Sequence, residues 1–224
     1  MNSPQVTVYQ LGIEREPVAV IEYFAADPNA LRTAAAASCF GPAGEHYPGI
    51  KAPLPATYFP AQRGLLATVL NEVFDVTERV RVLDARFSIV STPTVSLSLQ
   101  QRLPHVDALE PGRLALIHYL VPGGTAGTSF YRHRSTGFET VDNERKRRYF
   151  AALEADIRQH PVAPGYLAGD TALFERIGTF EGVYNRALLY RGRLLHSGAI
   201  EPDQPLSPDP ATGRLTITGF FAAN

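Results

Sequence analysis

The alternation of apolar and polar positions divides the chain into a helical lead-in and a long run of short strands. Gln5 to Leu11 and Pro17 to Phe24 alternate and are rich in Val, Ile and Tyr, which predicts two strands joined at Gly12. Asp27-Pro28 reads as an N-cap followed by a first helical residue and predicts a helix to about Phe40. Leu65, Leu66, Val69, Leu70 and Val73 recur at helical spacing, so a second helix is expected over Ala61 to Phe74. Between the helices, Gly41 to Pro60 mixes prolines and glycines with Tyr47, Tyr58 and Phe59. That stretch is expected to be an irregular arm whose aromatic rings pack over something, such as the mouth of a pocket.

From Val80 the pattern shortens. Strands are predicted over Val80 to Val90 and Thr94 to Gln101, the second with Val95, Leu97 and Leu99 on one face. Leu114 to Val121 is apolar on both sides, as in a central covered strand, and ends in a Pro122-Gly123-Gly124 turn. Thr128 to Arg134 follows as a strand. Asp142 to Gln159 has helical spacing, with Tyr149, Phe150, Leu153 and Ile157 on one stripe and Pro161 as the stop. Strands over Ala172 to Phe180, Val183 to Tyr190 and Arg193 to His196 precede a loop holding Pro202, Pro205, Pro208 and Pro210. Arg214 to Phe221 is the last strand. The predicted class is mainly β (α+β), a sandwich or jelly-roll barrel with N-terminal helices and one inserted helix. Residues 1–79 are expected as a lead-in and 80–224 as the core of a single domain.

Composition narrows the partners. A length of 224 residues suffices for one ample core, and a net charge of -1 with pI near 6.6 lacks the basic excess that nucleic acid demands. Cys39 stands alone, which excludes an internal disulfide and fits a reducing, cytoplasmic location. No run is long and apolar enough for a membrane span, and the first residues show no signal-peptide pattern.

The candidate chemistry lies in Leu103-Pro104-His105-Val106-Asp107. On extended backbone, residues two apart face the same side, so His105 and Asp107 can offer an imidazole nitrogen and a carboxylate oxygen to one ion. A third donor from a distant strand, for which His196 is the candidate, would complete a two-histidine, one-carboxylate set of the kind that leaves positions open on Fe(II). On the last strand Arg214 and Thr216 face the same way, a pairing suited to a carboxylate, although a polar outer face on an edge strand explains the same pattern.

Taken in order, His105-Val106-Asp107, the apolar strand ending in Tyr119-Leu120, Gly123-Gly124 leading to Thr128-Ser129-Phe130-Tyr131, the distal His196 and Arg214-Leu215-Thr216 resemble the Fe(II)/2-oxoglutarate-dependent dioxygenases, prolyl-hydroxylase-like in type. The resemblance covers roughly Val80 to Phe221. It implies a double-stranded β-helix with His105, Asp107 and His196 as iron ligands, Arg214 on the distal carboxylate of 2-oxoglutarate, Thr216 assisting, and Tyr119 reaching the co-substrate. Arg186 or Arg132 are the alternatives to Arg214, because the loop after His196 is long for the family. The cofactors implied are Fe(II), 2-oxoglutarate and O2, and the activity is hydroxylation with release of succinate. The carboxylate at Asp107 weighs against the halogenating branch. A small-molecule, amino-acid or peptide substrate is expected, with no nucleic acid and no membrane, and a homodimer is open. A non-catalytic metal- or carboxylate-binding module, and a cupin-like metal oxygenase without 2-oxoglutarate, fit the same residues.

Rival signals are weaker. Gly123 to Thr128 lacks the Gly-Lys-Ser/Thr ending of a phosphate loop and reads as a turn, and Gly127-Thr128-Ser129-Phe130-Tyr131 misses the second glycine of a nucleophile elbow. Arg145-Lys146-Arg147-Arg148 reads as a solvated helix face. His46, His118, His133 and His160 are expected to be structural, and Lys51 and Tyr47 are candidate substrate contacts.

Overall fold

The computed structural model describes residues 2–201 and 204–223. Along the chain run β1 (Gln5–Leu11), β2 (Glu16–Glu22), α1 (Pro28–Ala36), β3 (Gly41–Pro42), β4 (Gly49–Pro53), α2 (Tyr58–Phe74), β5 (Val80–Val90), β6 (Arg113–Tyr119) and β7 (Thr125–His133). They are followed by α3 (Lys146–Gln159), β8 (Phe174–Gly182), β9 (Ala187–Arg191), β10 (His196–Gly198) and β11 (Arg214–Ala223). The strands form two antiparallel sheets, one ordered β1-β2-β9-β6-β11-β5-β4-β3 and the other β10-β7-β8. A bridge between His105 and His196 lays one more extended segment beside β10.

The two faces of the large sheet serve different layers. Ala19, Ile21, Phe87, Ile89, Leu215 and Ile217 point outward and bury against Leu66, Val69, Leu70 and Phe74 of α2. Val18, Val20, Ala115, Tyr119, Leu188 and Tyr190 point the other way and meet Phe130 and Leu194 across the sandwich. Period-two alternation with both faces covered is why β2, β6 and β9 read as continuously apolar. Full burial of each aliphatic side chain contributes about 1.5–3 kcal/mol. A third cluster joins Tyr131, Phe174 and Leu195 to Tyr149 of α3.

Local chemistry sets the element ends. The Asp27 carboxylate accepts from Ala30 N at 2.9 Å and opens α1, and Asp75 closes α2 at φ 58. Gly123 and Gly124, at φ 82 and 88, make the turn expected between β6 and β7. The turn between β1 and β2 is latched to the segment before α3. Ile13 N and Glu14 N each donate to the Glu139 carboxylate at 2.9 Å, and Arg132 Nε donates to it at 2.8 Å. In return Glu14 accepts from Glu139 N at 3.0 Å and from Arg145 Nη1 at 2.6 Å. Glu139 is fully buried, so this pairing is what makes its charge tolerable.

Several expectations need correction. Thr94 to Gln101 is not a strand but two 3-10 turns, Thr94–Ser96 and Gln100–Arg102. Only Leu97 of the supposed apolar face is buried, while Val95 is 92% exposed. The arm after Gly41 is not wholly irregular, because β3 and β4 extend the large sheet at its edge, where a missing proline N–H costs no ladder bond. The inserted helix starts at Lys146 rather than Asp142, whose carboxylate instead accepts from Glu144 N and Arg145 N, and Phe150 is 52% exposed. The strand expected from Val183 begins only at Ala187, and the one expected from Arg193 only at His196. Pro205, Pro208 and Pro210 lie in irregular chain; Pro202 of that loop falls outside the described residues.

Candidate functional site

His105 and His196 face each other as a directly bonded antiparallel pair, His105 N donating to His196 O at 2.9 Å and His196 N to His105 O at 3.0 Å. Two residues on, Asp107 N donates to Gly192 O at 2.7 Å, which holds the segment extended and returns the Asp107 carboxylate to the imidazole side. One donor atom from each of His105, Asp107 and His196 lies within 4.8 Å of the others. His196 Nε2 is 3.4 Å and His105 Nε2 3.7 Å from the carboxylate, and the two rings are 4.4 Å apart. The three residues selected from the sequence are therefore brought together.

The electrostatics fit a divalent ion. His196 Nδ1 donates to Leu194 O at 2.8 Å, which fixes its tautomer and leaves the Nε2 lone pair facing Asp107. Burial pushes His196 down to about 4, so it stays a neutral ligand at physiological pH. His105 is lowered too, by desolvation and by the neighbouring His196, but half of its side chain meets solvent and the push is weaker there. Burial raises the Asp107 carboxyl. Two neutral imidazoles around a desolvated carboxylate are a set that a cation would stabilise, and the donor types suit a first-row metal with open positions.

The opposite wall comes from the large sheet. Thr216 of β11 lies in register with Ser88 of β5 and Tyr119 of β6, and Ser88 lies in register with Lys51 of β4. This cross-strand row is polar although it faces the interior. β11 is a central strand, between β6 and β5, so the reading of an outer edge face is overturned. Arg214, one step along, is buried. Its Nε and Nη2 donate to Ala126 O at 2.7 Å and Gly127 O at 2.8 Å, and its guanidinium stands 5.6 Å over the Tyr119 ring. Among the described residues no carboxylate pairs with it. Thr216 Oγ1 donates to Ser88 O at 3.2 Å, and the Tyr119 hydroxyl is 2.7 Å from Thr128 Oγ1.

The alternatives to Arg214 are spent elsewhere. Arg186 is held by Glu22, and Arg132 by Glu139 and Glu175. His118 is structural, as expected, between the Tyr58 hydroxyl and Asn185 Oδ1. His133 packs against Tyr149 and Phe174. His46 and His160 are exposed, and His46 is near enough to His105 to lower it further, so neither belongs to the core. Arg145 is not a solvated face residue, since it is tied to Glu14.

Two residues stood out less in the sequence than in space. Tyr190 packs edge-on against His196 at 4.8 Å and also senses Asp107 and Arg214, so it lines the space between the two walls. Ser88 was invisible because a serine in an apolar strand carries no signal of its own.

Fold and site together define a mainly β protein of two antiparallel sheets with a candidate metal centre at one wall of the sandwich. The chain belongs to the family described as Family of unknown function (DUF6445), which matches residues 2–221. No curated protein matches it. Similar solved structures include the non-heme alpha ketoglutarate dependent epimerase SnoN from nogalamycin biosynthesis, at 12% identity and TM-score 0.46, covering 92% of this chain and 78% of that one. An N-substituted L-amino acid dioxygenase from Burkholderia ambifaria AMMD is similar at 10% identity and TM-score 0.46, over 99% of this chain and 95% of that one. The same dioxygenase in complex with alpha-KG gives 11% identity and TM-score 0.38 with the same coverage. Likeness at this level decides nothing about chemistry, which has to come from the side chains. No helix among the described residues is long and apolar enough to cross a membrane.

Proposed function

We propose that the protein is an Fe(II)- and 2-oxoglutarate-dependent oxygenase that hydroxylates a C–H bond of a small molecule, amino acid or peptide side chain and releases succinate and CO2. One observation carries the reading: a two-histidine, one-carboxylate donor set on one wall faces a buried arginine on the other that has no carboxylate partner among the described residues. His105, Asp107 and His196 would hold the metal. Arg214 would pair with the distal carboxylate of 2-oxoglutarate, Thr216 would assist, and Tyr119 would form the floor beneath the guanidinium. When bound, iron and co-substrate supply the oxidising chemistry with O2 that side chains lack.

The protein's own part is placement and exclusion of water. The backbone pair at His105 and His196 sets the donor spacing, the Leu194 carbonyl orients one imidazole, and Phe130 and Tyr190 dry the space behind it. The strand order supports a double-stranded β-helix. Segments β5, β6, β9 and β11 lie in the large sheet, while the His105 segment, β7, β8 and β10 lie in the small one, as in a jelly roll made of two Greek keys. On this reading residues 80–224 are the catalytic core, residues 1–79 the lead-in, and the lone Cys39 suits the cytoplasm.

Anaerobic addition of Fe(II) and 2-oxoglutarate should produce a metal-to-ligand charge-transfer absorption band. A folded protein that shows no band under these conditions refutes the proposal.

A further inference from the structure

Two cavities open beside the metal-ligand candidates and meet at one residue. The first, of about 190 Å³, is lined by Asp107 together with Asp84, Arg113 and Phe220. The second, of about 320 Å³, is lined by Lys51, Arg86 and the same Asp84. The register explains the meeting. Side chains two apart on a strand share a side, so Asp84 and Arg86 of β5 lie on the face that Ser88 turns inward, Lys51 of β4 stands in register with Ser88, and Phe220 of β11 with Asp84. The hairpin of β3 and β4 thus carries a lysine to the open side of the candidate metal centre.

Charges in this mouth do not cancel. Asp84 Oδ1 accepts from Arg86 Nε at 2.9 Å, and both side chains are 45% exposed. Lys51 pairs with no carboxylate among the described residues; its ammonium lies 4.9 Å over the ring of Tyr47, from the segment between β3 and β4. A lysine that only guards a sheet edge keeps its ammonium in water. Here burial lowers the ammonium from its ordinary value, while Asp84 and Asp107 pull it back up. With Asp107 committed to a cation, Lys51 and Arg86 share a single anion, Asp84. Positive charge is left in excess, and Arg113 in the first cavity adds to it. Asp84 Oδ2, for its part, accepts no hydrogen bond from the described residues. A spare ammonium and a spare carboxylate oxygen on one cavity match a ligand that carries both charges.

We propose that this mouth binds the substrate as a free amino acid, its carboxylate on the Lys51 ammonium and its ammonium on Asp84 Oδ2, with its side chain laid along Phe220 toward the metal site. The inference rests on the reading given under Proposed function and narrows its substrate, because a residue inside a peptide offers neither charge at its α-carbon. It also gives the arm after Gly41 a task, which is to present one half of the substrate clamp.

The test is succinate release in air by the Fe(II)-loaded protein with saturating 2-oxoglutarate, adding each of the common amino acids in turn. Any that accelerates release is compared with its α-amide, which lacks the carboxylate, and its N-acetyl form, which lacks the ammonium. At least one free amino acid should raise the rate by about tenfold or more, and its two blocked forms should fall back by about as much. In Lys51→Met the acid and its amide should be used equally well, because the group that tells them apart is gone, while the 2-oxoglutarate concentration that half-fills the charge-transfer band stays within about twofold of wild type. Asp84→Asn, an isosteric change at a half-exposed position, should likewise level the acid and its N-acetyl form. No acceleration by any amino acid, blocked forms as effective as free ones, or a Lys51→Met enzyme that still prefers acid to amide overturns the inference and leaves the proposed function standing. A wild-type protein without a charge-transfer band rejects the proposed function and this inference with it.

Discussion

Acidification should destabilise the metal-free protein through two buried histidines. His118 and His196 are both pushed down to about 4 by burial, whereas an unfolded histidine titrates near 6.5. Between these values the unfolded chain binds protons that the folded chain refuses. Stability is therefore complete above about pH 7 and falls as the pH drops toward 4. Each histidine should lose about 2 kcal/mol by pH 5, together about 4 kcal/mol, out of a total typically about 5–15 kcal/mol. Asp107 acts in the opposite direction, because its carboxyl is raised by burial and takes a proton more readily when folded. The pair value is thus an upper figure. Urea unfolding at a series of pH values from 7.5 to 5 measures it. His118→Gln, which can still bridge Tyr58 and Asn185, should lose only about half as much. Saturating Mn2+ should raise stability throughout but leave the His196 half in place, since a metal-bound Nε2 refuses the proton just as the buried one does. Flat stability across this range, or an unchanged slope in His118→Gln, would refute the reasoning.

Arg214→Met should weaken 2-oxoglutarate binding by about a hundredfold or more, from the loss of two charge-assisted hydrogen bonds, while calorimetric Mn2+ affinity holds. A loss under about threefold would mean that another group anchors the co-substrate. Gly12→Ala should destabilise the fold by about 2 kcal/mol or more, since Gly12 sits at φ +62 and an added Cβ would lie 2.1 Å from Glu139 Oε2. An unfolding midpoint in urea equal to wild type would show that the latch is soft.

How much was legible beforehand varied with the kind of signal. The β1 and β5 bounds and the start of α1 came directly from alternation and from Asp27-Pro28, which are local effects. His105 and Asp107 were legible as a pair because side chains two apart on extended chain share a side, whereas His196 came from the family resemblance and its bridge to His105 is seen only in the fold. Alternation misled at Thr94 to Gln101, where Val95, Leu97 and Leu99 mimic a strand but the chain turns twice. Among the described residues no strand pairs with that segment, and pairing is what makes a strand. The β3 and β4 edge was missed for the converse reason, since its register is supplied by β5 far along the sequence. The polar face of β11 was ambiguous, because the rule that polar residues face water argued for an outer face beside the carboxylate-binding reading, and that rule fails where a sandwich keeps polar residues inside.

Among the described residues the N-terminal hairpin pairs with the rest of the large sheet through β9, and its turn is clasped by Glu139, Thr140 and Arg145. On a ribosome, β1 and β2 therefore emerge well before the strand that gives them their places. They must wait, paired with each other, until residues 187–191 have left the exit tunnel. A nascent chain stalled before that point would carry β2 with an open hydrogen-bonding edge, a template for pairing with other chains.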